Sequence, residues 1–112
     1  MKVTPYERIP GKVMDDDQMK GVSMRIVAGP DDGLPNFVMR VFEVDADGYT
    51  THHAHDHEHE VFFFHGSGEV LADGEWVPVS PGYVAAIEGG AEHQIRAGKD
   101  GLKFICVVPA ER

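Results

Sequence analysis

The stretch GYTTHHAHDHEHEVFFFHGSG, residues 48–68, decides the reading of this chain. It holds six of the seven histidines, and the seventh, His93, stands alone downstream. Side chains two apart in an extended segment share a face, so His53 and His55 project together. His59 follows an irregular step, Asp56-His57-Glu58, and can turn back to the same point. His93, at the start of a later strand, can supply a fourth imidazole from across a barrel. The expectation is that His53, His55, His59 and His93 hold one divalent metal. Neutral imidazole suits zinc, copper, nickel and iron and tolerates manganese. His52, His57 and His65 are expected to be non-ligands, with His57 nearest the metal as a lid or proton relay.

A single histidine is more often a surface or hydrogen-bonded residue than a ligand, but His-x-His with a third at +4 and a distant fourth is hard to obtain by accident. An expression tag would be terminal and regular, whereas this cluster is internal and interleaved with Asp and Glu. A loosely solvated metal-buffering tract would need neither His93 nor the apolar run Val61–Phe64 that follows.

Working outward, the rest of the chain reads as short strands and turns. Residues 1–8 form a weak strand interrupted by Pro5, which suits an edge. Residues 11–20, with Asp15, Asp16 and Asp17, read as a loop or short helical turn with solvated acids. Strands are expected over 22–28 and 37–44, the latter apolar on both faces and so central. The segments 29–36 and 45–48 are turns. Strands 60–65 and 69–73 flank Gly66-Ser67-Gly68, and Asp73-Gly74 signals a hairpin into 76–79. Strands 83–87, 93–97 and 102–108 follow, and Pro109 ends the last. About ten short strands without a convincing long helix predict an all-β barrel or sandwich.

The 112 residues are enough for one domain, 1–112, and one core. The net charge of −9 repels phosphate backbones, so no nucleic-acid partner is expected. No apolar run is long enough to span a membrane, so no membrane partner is expected either. An N-terminus without an apolar leader, together with a single cysteine, Cys106, points to the cytoplasm.

The spacings resemble the cupin superfamily. Its first motif is Gly, five residues, His-x-His, three or four residues, Glu, six residues, Gly. Here Gly48 precedes His53 by one residue too few, while His53-Ala54-His55, His59 and Gly66 keep the remaining intervals. His59 thus stands where the family has glutamate. Glu60 is the alternative ligand, with a supporting role as the reading preferred for it. The second motif, Gly, five residues, Pro-x-Gly, two residues, His, three residues, Asn, is met by Gly82, Gly90 and His93. Glu88 and Ala97 replace the proline and asparagine.

The chain as a whole, including residues 35–44 and 102–109, is similar to small single-domain cupins with four histidines on manganese. Those proteins cleave carbon–carbon double bonds of styrene-type alkenes with a peroxide. The resemblance implies a jelly-roll (double-stranded β-helix) barrel, manganese as cofactor ahead of iron, nickel, zinc or copper, and a homodimer contacting through N-terminal strands within about residues 1–30. It also implies that Phe104 and Cys106 line the pocket. Strand alternation independently puts Phe104, Cys106 and Val108 on one face. Cys106 is read as a small buried filler in preference to a nucleophile.

Four neutral ligands leave a metal its full charge. An octahedral ion would keep two positions for water, an oxidant or a bidentate substrate, whereas tetrahedral zinc would be closed and structural. Phe62, Phe63, Phe64, Phe104, Val108 and Met39 are candidate apolar walls, fitting a small apolar or aromatic substrate. Arg40 is read as a surface ion-pair residue, with anchoring of a substrate carboxylate as the alternative. The leading functional expectation is a metal-dependent oxygenase or peroxide-using oxidase. A Lewis-acid isomerase or lyase, and a non-catalytic binding or sensor domain, are the alternatives.

Overall fold

The computed structural model of the chain describes residues 1–111. It contains seven strands: β1 (Lys12–Val13), β2 (Lys20–Ala28), β3 (Phe37–Tyr49), β4 (His59–Ala72), β5 (Glu75–Val79), β6 (Val84–Ile87) and β7 (Gln94–Pro109). All pairings are antiparallel, in the order β1-β2-β3-β7-β4-β5, and β6 also pairs with β4. This is a jelly-roll barrel, as the turn spacing predicts. Among the described residues no helix is long and apolar enough to cross a membrane.

The count falls from ten expected strands to seven because glycine bends strands here without ending them. β4 runs through Gly66–Gly68, and β7 runs through Gly98–Gly101. At this corner the two backbones nearly touch: a Cβ on Gly66 would lie 2.1 Å from the Gly101 carbonyl oxygen, and one on Gly68 would lie 2.2 Å from that of Arg96. Only glycine permits such an approach, and register shifts in the β4–β7 ladder mark the bend. Residues 45–48, expected as a turn, likewise lie within β3 as an irregular stretch with Asp47 at positive φ.

The N-terminal expectation fails more plainly. Residues 6–8 form a 3-10 turn, not a strand, and residues 12–13 pair with β2 inside the segment expected to be a loop. The Tyr6 ring packs edge-on against Phe64 at 6.1 Å, and its hydroxyl donates to Glu43. The Arg25 guanidinium joins Glu43 and the Ile9 carbonyl. Residues 1–10 therefore lie across the outside of the sheet, held by side chains.

Strand alternation determines the core. Phe42, Phe104 and Phe63 are directly opposite one another across β3, β7 and β4, and all three point inward. Phe42 stacks on Phe104 at 5.1 Å, and Phe63 tilts against it at 5.4 Å. The next row, Arg40, Cys106 and Val61, lies one inward step closer to the histidines.

Candidate metal centre

His53 and His93 meet first through their backbones. They exchange two hydrogen bonds, His53 N–H to the His93 carbonyl at 3.1 Å and the reverse at 2.9 Å. This isolated bridge ties the irregular segment 50–58 to the strand that β7 begins one residue later. The segment is a loop and not the strand that His-x-His suggested. Gly90 N–H donates to the His55 carbonyl, and a Cβ on Gly89 would strike the Asp56 carbonyl at 2.3 Å. Gly89 and Gly90, in the turn of the second motif, thus form a seat for the histidine loop. His59 opens β4 and points inward.

The rings of the four expected residues gather within a few ångströms. Centroids of His53 and His55 are 4.0 Å apart, those of His53 and His93 4.7 Å, His55 and His59 4.8 Å, and His59 and His93 5.2 Å. Backbone carbonyls fix two of the tautomers. His53 Nδ1–H donates to Thr51 at 2.7 Å, and His93 Nδ1–H to Ala91 at 3.0 Å, which leaves each Nε2 with a free lone pair. His59 Nδ1 lies 3.3 Å from Cys106 Sγ, and its buried Nε2 has no hydrogen-bond partner. The Nε2 atoms of His53 and His55 abut directly.

A buried orphan nitrogen is costly. A cation bound there answers it, and gathered neutral imidazoles are donors such an ion takes, so the donor set fits a metal. Burial lowers the pKa of His53, His55 and His59, aided by repulsion among the clustered imidazoles and by Arg40: His55 to about 4, His59 to about 3, and His53 in the same direction. They are neutral at pH 7, as metal ligation requires.

His57 also packs against this group. Its ring stacks at 4.8 Å on His55 and 5.0 Å on His59, and its nitrogen forms a second possible three-histidine group with them. It is exposed, whereas His59 and His93 are buried. Glu60 lies on the opposite face of β4 from His59 and points outward, away from the cluster. His52 faces Glu92 at 3.4 Å on the surface, and His65 is exposed beside the corner.

The cluster opens into a cavity of about 180 Å³ whose polar wall is Arg40, Thr50 and Cys106 and whose apolar wall includes Phe42, Val61, Ile87, Ile95 and Phe104. Alternation corrects most of the expected lining. Of the run Val61–Phe64, Val61 faces the cavity and Phe63 fills the core, while Phe62 and Phe64 lie on the outer face. Met39 is exposed, and Val108 borders an outer groove. That groove is larger, about 440 Å³, but it reaches only one histidine. Phe104 and Cys106 line the cavity as expected.

Arg40 is not a surface ion-pair residue. It is half-buried with its guanidinium 5.1 Å above the Phe42 ring, Nη2–H donates to Cys106 Sγ at 3.1 Å, and Nε is buried without a partner. Burial raises the Cys106 thiol, with Arg40 opposing, so the sulfur is neutral at pH 7. Sequence reading missed Met14, Met19 and Thr50, which also line the cavity. The signal for the methionines was available: they bracket the acidic run 15–17 as apolar residues that a wholly solvated loop would not need.

Residues 40–108, more than half of the chain, match the Cupin domain family. Over 89 residues the chain is 37% identical to the L-ectoine synthase of Halomonas elongata, a match covering 76% of this chain and 61% of that protein. The chain spans between 41% and 61% of the length of the curated relatives it matches. The polyketide cyclase RemF from Streptomyces resistomycificus aligns with a TM-score of 0.92 at 29% identity, covering 100% of this chain and 81% of that one. A cupin 2 conserved barrel domain protein from Rhodopseudomonas palustris aligns with a TM-score of 0.82 at 32% identity, over 97% and 79%. The family match takes in the four clustered histidines, and the barrels superpose over nearly the whole chain: this chain belongs to the cupin family.

Proposed function

We propose that the chain is a metal-dependent enzyme acting on a small apolar or aromatic molecule, with His53, His55, His59 and His93 as the metal ligands. The observation that carries this is the buried, orphaned Nε2 of His59, on a ring 4.8 Å from that of His55 and 5.2 Å from that of His93, beside a small, mostly apolar cavity. A cavity of about 180 Å³ has room for about six waters' share of liquid, so the reacting part of the substrate is small. When bound, the divalent ion supplies a concentrated positive charge with coordination positions for substrate or oxidant. The protein holds the imidazoles neutral and excludes bulk water.

The chemistry we favour is oxidative, as in cleavage of a carbon–carbon double bond by dioxygen or a peroxide. With dioxygen the atoms balance as one oxygen to each carbon, giving two carbonyls. The support is the make-up of the cavity wall, which offers little for moving protons: an arginine, a neutral thiol and a threonine. A redox-neutral ring closure or isomerisation is the second reading. It is favoured by the relatives named a synthase and a cyclase, and it would draw on exposed His57 as proton carrier. Manganese is the ion we favour, and a homodimer contacting through the N-terminal segment within about residues 1–30 is the assembly we favour.

The test is metal analysis followed by turnover. About one manganese or iron per chain is expected in protein purified without metal-affinity steps, falling sharply in His93→Ala. Alkene-bearing aromatic substrates should then be consumed together with oxidant. Turnover without oxidant would replace the oxidative reading by the redox-neutral one. Full metal retention in His93→Ala would refute the ligand set.

A further inference from the structure

Arg40 is a guanidinium inside the barrel without a carboxylate. No ion pair involves it among the described residues, although the chain carries nineteen acids against ten bases and pairs Arg25, Arg96, Lys2 and Lys103 with acids. None of the residues lining the cavity is Asp or Glu. Its nearest partners are the Phe42 ring and the Cys106 sulfur, a π-face and a weak acceptor. Nε is buried and donates to nothing. A buried cation is stable only with its charge and donors answered, and the fork of a guanidinium matches a carboxylate in two parallel bonds.

The electrostatics reinforce this. Four neutral imidazoles would leave a divalent ion uncompensated, and Arg40 adds a third positive charge to the same small space. Folding has kept the acids of an acidic protein out of that space. The charge balance is therefore left to whatever enters the cavity.

We infer that the cavity is built for an anionic substrate, a small aromatic or apolar molecule bearing a carboxylate or an enolate oxygen, and that Arg40 is the residue that selects for it. Arg40 sits on β3 directly opposite Cys106 on β7, so a carboxylate held by its free edge lies beside that pair, with the apolar part of the molecule against Phe104, Val61 and Ile95. The inference refines the proposed function and shares its site, but it concerns the protein's own charge and stands without the metal.

Metal-free protein therefore gives the decisive test. Benzoate and its uncharged analogue benzyl alcohol are titrated calorimetrically into wild type and Arg40→Met, each metal-free and each loaded with manganese. Benzoate is expected to bind metal-free wild type more tightly than benzyl alcohol, and to weaken about tenfold or more in Arg40→Met, the loss of a hydrogen bond to a charged group. Benzyl alcohol should be unaffected by the substitution. Equal binding of the two probes to wild type, or benzoate affinity unchanged in Arg40→Met, overturns the inference. Arg40→Lys serves as control for folding and charge: retention of part of the benzoate preference is expected, and binding by Lys no better than by Met would place the effect in packing and likewise overturn it. Failure of wild type to load manganese would count against the proposed function while leaving the metal-free comparison intact.

Discussion

His59 shows how much one side chain's neighbours matter. Its Nε2 can face a metal only if Nδ1 carries the proton, and the atom that receives that proton's hydrogen bond is Cys106 Sγ. Cys106 is thus more than the inert filler its size suggests, and its role is to position a ligand. Replacing it with valine keeps the apolar volume but leaves Nδ1–H unanswered. Chelator competition should then show metal affinity about 10- to 100-fold weaker. Cys106→Ser restores an acceptor and should recover most of the loss, whereas equal weakening by both substitutions would point to packing instead. The sequence could not reveal this arrangement, because a lone cysteine carries no sign of what it faces until β4 and β7 are in register. The histidines were legible for the opposite reason: their number and spacing are improbable without a shared purpose. Arg40 fell between the two, since its position on β3 was readable but the absence of any acid nearby was not.

Among the elements, the glycine corner sets the limits of sequence reading. Closely spaced glycines read as strand ends, because in isolated strands they usually are. Here Gly66 and Gly101 let two long strands cross at contact distance, a fact about two distant segments that neither carries alone. Gly66 has a positive φ of 81° and no space for a side chain, while Gly74 has a positive φ of 79° with nothing within 4 Å. Gly74→Ala should therefore cost about 1 kcal/mol from backbone strain alone. Gly66→Ala should cost about 3 kcal/mol or more, since a backbone must also move. Urea unfolding midpoints separate the two, and a similar loss from both would mean that the corner yields easily. Strand alternation was fully legible in principle, yet the apolar run Val61–Phe64 conceals it: four large side chains in succession look like a wall, and only pairing to β7 shows which two face in.

For the molecule as a whole, the histidine cluster links stability to acidity. In the unfolded chain each imidazole takes up a proton near pH 6.5, whereas in the folded, metal-free protein His55 does so near 4 and His59 near 3. Between those values the unfolded state binds more protons, so stability falls as pH drops from about 6.5 toward the folded values and levels off below them. Above pH 7 these groups contribute no further change. Metal-free protein should show a melting temperature that declines steadily from pH 7 to pH 4, and His55→Gln should flatten part of that decline. An unchanged slope in the variant would assign acid sensitivity to other groups. The barrel architecture followed from strand and turn chemistry, whereas the overall assembly and the path of the N-terminal segment depend on surfaces that no periodicity encodes.

The strand order has a consequence in time. β7 follows β3 and β4 in the chain yet lies between them and pairs with both along much of their length. During synthesis β3 and β4 emerge before the partner that joins them, so the two halves of the sheet cannot close until β7 has left the ribosome. Such sequence-distant pairing makes for slow folding, on a scale of milliseconds to seconds, with open strand edges exposed meanwhile. His93 arrives with that same segment. A nascent chain therefore presents the crowded histidine loop to the cell before its fourth imidazole exists, and the barrel and the complete cluster come into being in a single late event.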